Sequence, residues 1–203
     1  DVALAGEAGA DIVFAPEAAD MYPAHFGTVV HVQRMTRKMC GAFRPGHFDG
    51  VCTIVAKLFE IVRPTIAVFG QKDGQQVSVL ERMARDLNMG VGIVRAPTVR
   101  EPDGLAMSSR NTYLSESERR DATVLNEALE LARGRYAAGE ADAAAVLEEM
   151  RALVEGKDST EVQYIVAVDS ETLEDVSELK PNTMLAMAVF VGKTRLIDNV
   201  VLG

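Results

Sequence analysis

The apolar pair Val68-Phe69 gives way to Gly70, Gln71, Lys72 and Asp73, and then to Gly74, Gln75 and Gln76. A chain that only has to turn can use Gly, Asn or Pro. This one sets a cation, an anion and amides where a strand stops. Lys72 suits phosphate oxygens as a point charge. Asp73 could cap the following helix, bind Mg²⁺ through water or hold a ribose hydroxyl. Gln76, about one turn later, could aim an amide at a polar substrate. The plain alternative is a capped turn with a surface lysine.

A second group of polar residues is REPDGLAMSSRN, Arg100 to Asn111. Hydroxyls and a guanidinium can grip a triphosphate and neutralise charge moving onto a leaving pyrophosphate. Gly104 would let such a loop close over nucleotide. An interdomain linker with an Asp103-Gly104 turn is the other reading. The third group is RPGHFDG, Arg44 to Gly50, where His47 could act as a base, a ligand or a structural residue. His25 and His31 have no partner at metal spacing, and neither do Cys40 and Cys52. No metal site is expected. There is no Ser-His-Asp order, zinc motif or Gly-Lys-Ser/Thr phosphate loop.

The elements that must carry these residues follow from periodicity. DVALAGEAGA, Asp1 to Ala10, reads as the tail of a helix. Ile12 to Ala15 and Thr28 to Val32 read as strands. Val51, Ile54, Val55, Leu58, Phe59 and Val62 have helical spacing. Pro64 closes that helix, and Thr65 to Phe69 read as a fully buried strand. A helix with Val77, Leu80, Ala84 and Leu87 on one face leads to a strand at Val91 to Ala96. The β-α-β-α-β order implies a parallel sheet. In open sheets of this kind ligands bind beyond the carboxyl ends of the strands, where Gly70 to Asp73 fall, next to a helix N-terminus that favours phosphate.

After Pro97 the pattern changes. Ser115 to Glu118 is a capping box opening a helix with Ala122, Leu125, Leu129, Ala132 and Tyr136 inward, ended by Gly139. A second helix starts near Asp142 and buries Val146, Leu147, Met150, Leu153 and Val154. A strand at Val162 to Val168 and a hairpin of Met184 to Val191 with Thr194 to Asn199 complete an antiparallel sheet. Two domains are expected, 1–98 and 99–203.

The chain has 203 residues, 48% hydrophobic and 25% charged, with net charge -9. Residues 1–98 are neutral overall, so the whole excess of acid lies in 99–203. This argues against nucleic-acid binding, which runs on phosphate neutralisation. No apolar run is long enough for a membrane helix. No secretory signal is expected, and the two cysteines fit a reducing compartment.

The segments MYP, RPGHFDGVCTIVAKLF, FGQKDGQQ, REPDGLAMSSRNTYLS and TRLIDN, in this order and spacing, closely resemble the pantoate–β-alanine ligases. The likeness runs over the whole chain. It implies an α/β fold: the second half of a nucleotidyltransferase-type Rossmann domain, plus a small α+β C-terminal lid. It implies ATP-dependent joining of pantoate to β-alanine through a pantoyl adenylate, releasing pyrophosphate and AMP, with Mg²⁺, in a cytoplasmic homodimer. Matched position by position, Gly70, Gln71, Lys72 and Asp73 would form the ATP-binding turn and Val99 would touch adenine. Met107, Ser108, Ser109 and Arg110 would form the mobile phosphate-binding loop. Gln76 would bind pantoate, and Val55 would help line its pocket. Lys72, Ser108, Ser109 and Arg110 would be catalytic.

Two departures stand out against that resemblance. Where the family has Glu and then an aromatic, this chain has Gln71 and Gly74, expected to weaken an ion pair and remove a packing ring. The family's N-terminal half, with its His-x-Gly-His motif, is not in the sequence. The expectation is therefore a fragment, poorly active alone and prone to self-associate. A non-catalytic nucleotide-binding or dimerisation module is the alternative. A cytidylyltransferase is a weaker one.

Overall fold

Residues 2–203 are described by a computed structural model, and Asp1 lies outside the described residues. Helices are α1 (Val2–Glu7), α2 (Ala18–Met21), α3 (Cys40–Phe43), α4 (His47–Val62), α5 (Gly74–Asp86), α6 (Glu116–Ala122), α7 (Val124–Ala137) and α8 (Ala143–Glu155). Strands are β1 (Ile66–Gly70), β2 (Gly92–Ala96), β3 (Thr160–Asp169), β4 (Thr183–Val191) and β5 (Thr194–Val201).

β1 and β2 pair in parallel, Ile66 opposite Gly92 and Gly70 opposite Ala96, with α5 as the crossover. The expected strands at Ile12 to Ala15 and Thr28 to Val32 are not formed. A strand needs a neighbour for its amides and carbonyls. Among the described residues β1 pairs with β2 alone. Around Val30 the backbone is satisfied by side chains instead: the Val30 amide donates to Thr53 Oγ1, and Thr36 Oγ1 donates to the Val32 carbonyl. β1 is also not fully buried. Ala67 and Phe69 pack on the helices, while Ile66 and Val68, on the opposite face by strand alternation, are exposed. Leu87, expected on the inner face of α5, is exposed because the helix ends at Asp86.

The C-terminal half follows its expected pattern closely. Ser115 accepts from the Glu118 amide while Glu118 accepts from the Ser115 amide, closing the capping box. The single helix expected across 116–138 is interrupted at Thr123, whose hydroxyl donates to the Arg120 carbonyl. Asp142 Oδ1 caps α8 by accepting from the Ala144 and Ala145 amides. The hairpin turns at Gly192, at φ +56, where a Cβ would sit 1.8 Å from a Glu118 carboxylate oxygen.

β3, β4 and β5 form an antiparallel sheet with β4 in the centre. Its two faces explain why β4 is buried almost throughout. Leu185, Met187, Val189 and Val191 pack with α7 and α8 in one apolar cluster. Met184 and Ala186, on the other face, join a second cluster with Val55 and Phe59 of α4 and Leu80 and Met83 of α5. The three-stranded sheet is thus the middle layer. Helices cover one side, and the β1-α5-β2 unit with α4 covers the other.

Candidate active site

The cleft between that middle layer and the β1-α5-β2 unit holds a cavity of about 250 Å³. Two helices end at it. The first turn of α4 brings His47 and Phe48, and the first turn of α5 brings Gly74, Gln75 and Gln76. The positive ends of the backbone dipoles of helices of 16 and 13 residues thus lie at the cavity, although the His47 amide is already spent on the Arg44 carbonyl. Lys72 and Arg110 add two cations, and Arg44 and Arg195 two more. Asp73 and Asp198 are the acidic residues in the lining, and the Asp198 carboxylate is turned to Arg100. The cavity is built to take an anion.

Each sequence-derived residue can be placed against it. Lys72, Asp73, Gln76 and Arg110 line the cavity. Asp73 is the N-cap residue of α5, but its side chain accepts no capping hydrogen bond, so the capped-turn reading does not hold. Lys72 and Arg110 join no ion pair among the described residues. Gly70 ends β1 at the surface. Val99 and Met107 are exposed outside the cavity, and the Met107 amide donates to the Val99 carbonyl at 2.9 Å. Ser108 and Ser109 also lie outside the lining; Ser108 Oγ accepts from the Arg110 amide at 3.3 Å. Val55 does not line the cavity; it is buried in the apolar cluster that also holds the lining residues Met39, Cys40 and Phe48.

The 99–110 segment is a small hairpin rather than a slack linker. Arg100 bridges to Ala106, and the chain turns at Gly104, φ +90. Glu101 accepts from Arg119 at 2.7 Å and from Asn111 at 2.6 Å, and Asp103 accepts from Arg119 at 2.7 Å. The Arg119 hydrogen bond, helped by Asn111, holds the Glu101 carboxyl below its ordinary range. Burial would push Asp103 up, but the Arg119 hydrogen bond and the Leu105 amide outweigh it and leave Asp103 lowered.

Gln71 turns away from the cavity. Its Nε2 donates to Asn199 Oδ1 at 2.7 Å, and its Oε1 accepts from Arg95 Nη1 at 3.3 Å. Arg95 has its own carboxylate partner, since Glu81 binds it with both oxygens, at 2.8 and 2.6 Å. The expected gap at Gly74 is filled too. A Cβ there would come within 2.7 Å of Met184 Sδ and 2.8 Å of Asn199 Oδ1.

Arg44 Nη1 lies 3.2 Å from His47 Nε2; a guanidinium only donates, so the contact is a hydrogen bond when Nε2 carries no proton. Burial first, then the Arg44 charge, lowers the His47 pKa. Several cavity residues had no signal of their own in the sequence. Gln75 is buried and spends its whole amide on one loop. Its Oε1 accepts from the Cys40 amide, and its Nε2 donates to the Met35 and Lys38 carbonyls. Those contacts flank Met39, which is held at φ 48, a conformation a non-glycine residue keeps only when its surroundings impose it. Cys40 Sγ lies 3.1 Å from the Tyr164 hydroxyl and 3.3 Å from Arg195. Burial, with Cys40 beside it, raises the Tyr164 pKa. Tyr164 and Arg195 face the cavity from β3 and β5, and only strand alternation could have pointed to them.

The sequence profile of the family described as Pantoate-beta-alanine ligase matches residues 1–201. Pantothenate synthetase of Syntrophus aciditrophicus (strain SB) is 50% identical over 203 residues, covering 100% of this chain and 71% of that protein. The Caldicellulosiruptor saccharolyticus pantothenate synthetase is 51% identical over 201 residues, 99% of this chain and 72% of that one. Among solved structures, pantothenate synthetase from Thermus thermophilus superposes with a TM-score of 0.93 at 43% identity, over 98% of this chain and 72% of its own. Pantoate-beta-alanine ligase from Francisella tularensis, complexed with beta-gamma ATP and beta-alanine, gives a TM-score of 0.74 at 27% identity, over 99% and 68%.

Proposed function

This chain belongs to the pantoate–β-alanine ligase family, and we propose that it joins pantoate to β-alanine at the expense of ATP. What carries the reading is the convergence of Lys72, Asp73, Gln76 and Arg110 on one cavity at two helix N-termini.

In the first step a pantoate carboxylate oxygen attacks the α-phosphorus of ATP. The bond from that phosphorus to the β-phosphate oxygen breaks, and pyrophosphate leaves. In the second step the β-alanine amine attacks the pantoyl carbonyl, loses a proton and expels AMP. Lys72 and Arg110 would hold phosphate oxygens and offset the charge that builds on the leaving pyrophosphate. Ser108 and Ser109 would join Arg110 when the hairpin moves inward. Gln76 would orient pantoate, with Val55 in the apolar cluster of Met39, Cys40 and Phe48. Gly70, Gln71 through its backbone, Asp73, Val99 and Met107 would meet the nucleoside and phosphates along the open rim.

Mg²⁺ belongs to the same proposal. Among the described residues no three His, Cys, Asp or Glu side chains gather to hold a metal. That fits a Mg²⁺ carried on the triphosphate, since this ion keeps waters and takes one or two carboxylates plus substrate phosphates. Asp73, in the cavity lining, would meet it through water, and the ion would neutralise phosphate charge. The homodimer, the cytoplasmic setting and the domain division at 98/99 are proposed on family membership and pattern. Among the described residues no helix is long and apolar enough to cross a membrane.

Titration of the chain with ATP, and with CTP for comparison, tests the site. Lys72→Ala is expected to weaken ATP binding by about tenfold or more, the scale of a charge-assisted phosphate contact. Unchanged affinity in that variant, or preference for CTP, would remove the Lys72 turn from an ATP site.

A further inference from the structure

Asp198 and Asn199, at the end of the TRLIDN segment, are both buried, yet neither has a role in the chemistry above. Successive residues of a strand point to opposite faces. Asp198 follows Leu196 toward the α7–α8 side, and Asn199 follows Ile197 toward the β1-α5-β2 unit.

Asn199 grips the Lys72 turn. Its Nδ2 donates to the carbonyls of Gln71 and Lys72, both at 2.9 Å, and its Oδ1 accepts from Gln71 Nε2 at 2.7 Å. The two N–H groups and the oxygen are all used, and a flipped amide would set oxygen against two carbonyls. Asp198 grips the other segment. It pairs with Arg100 through both oxygens, at 2.6 and 3.1 Å, and Arg100 also donates to the Gly104 carbonyl at 3.1 Å. Asp198 Oδ1 further accepts from the Asn199 amide. One dipeptide is therefore bonded to both phosphate-facing segments.

We propose that Asn199 and Asp198 are positioning residues that hold the Lys72 turn and the 99–110 hairpin in register with each other. The claim rests on the ligase reading for its purpose, but the linkage itself is independent of it. It also gives Gln71 and Gly74 a joint explanation. The glutamine supplies the amide that Asn199 accepts, and the absent side chain at 74 leaves Asn199 room to approach.

Amide exchange by mass spectrometry and ATP affinity by calorimetry test this on the chain carrying Asn199→Ala, Asn199→Asp or Val189→Ala. Val189 is buried in the same sheet, opposite Leu196 of β5, and its side chain makes no hydrogen bond to either segment, so it reports general loosening. Both Asn199 variants are expected to speed exchange across 70–74 by about tenfold or more. They should also weaken ATP by about tenfold, the loss of two hydrogen bonds of about 1 kcal/mol each being partly recovered by water. Asn199→Asp matters most, because it keeps the shape and removes the donor. Val189→Ala is expected to lower the melting temperature while leaving exchange at 70–74 and ATP affinity as in the parent. Parent-like exchange in Asn199→Asp overturns the proposal, and so does an equal rise in Val189→Ala. Failure of the parent chain to bind ATP would count against the ligase reading, while the exchange comparison still decides whether Asn199 holds the turn.

Discussion

Replacing Gly74 with alanine sets helix propensity directly against packing. Gly74 sits at φ -52, ψ -44, which alanine adopts without strain. Propensity alone makes the variant more stable, by up to about 1 kcal/mol. The new methyl, however, would lie 2.7 Å from Met184 Sδ and 2.8 and 3.0 Å from Asn199 Oδ1 and Cγ. Met184 is fully buried and Asn199 is fixed by three hydrogen bonds, so neither can swing away freely. Overpacking of this kind costs about 1–3 kcal/mol. With about 2 kcal/mol as the middle of that range, less a gain of about 1 kcal/mol, the net expectation is a loss of about 1 kcal/mol. For a chain of this size that is a fall in melting temperature of roughly 2–4 °C. Calorimetry on the two proteins measures it, and the same substitution in a Met184→Ala background should cost less. A melting temperature that rises or stays level in Gly74→Ala would refute the claim that close approach, rather than tolerance of a weak helix start, explains this glycine.

Other expectations follow from the same contacts. Arg100→Ala leaves Asp198, whose side chain is 1% exposed, buried without its partner; a loss of about 3–5 kcal/mol is expected in denaturant unfolding, and a loss under about 1 kcal/mol would show that the pair does not matter. Glu101 and Asp103 both have lowered folded pKa values. Their contribution is present above the unfolded values of about 4 and is lost as pH falls through the lower folded ones. Exchange at 100–111 should therefore accelerate below about pH 4, and Arg119→Ala should produce the same loosening at neutral pH; a hairpin unchanged in both cases would contradict the assigned role of Arg119.

Much of this molecule is legible in its sequence, and the parts that are not share a cause. The capping box at Ser115, the Asp142 cap, the hairpin at Gly192 and the inward faces of α7 and α8 rest on contacts within a few residues, which periodicity and turn chemistry can see. The two strands that do not form have strand character but no partner. Ile12 to Ala15 and Thr28 to Val32 have the composition, and nothing in that composition says whether a neighbour is there. The candidate site divides in the same way. Lys72, Asp73, Gln76 and Arg110 announce themselves as polar residues at a strand end or in a loop. Gln75, Tyr164, Arg195 and Asn199 do not, because each acts across more than 30 positions of chain. Gln71 and Gly74 look like defects when read locally, and only the facing strand β5 and Met184 of β4 show what they accommodate.

The central claim, ligation of pantoate to β-alanine at the Lys72 cavity, is tested most directly by AMP release from ATP. It should be measured with the chain alone and with a polypeptide supplying the part of the Syntrophus enzyme that the chain does not match. The account predicts AMP release that requires both pantoate and β-alanine in at least one of the two mixtures, and that falls by about a hundredfold or more in Lys72→Ala. No pantoate-dependent AMP in either mixture, from folded chains that bind ATP, would contradict it.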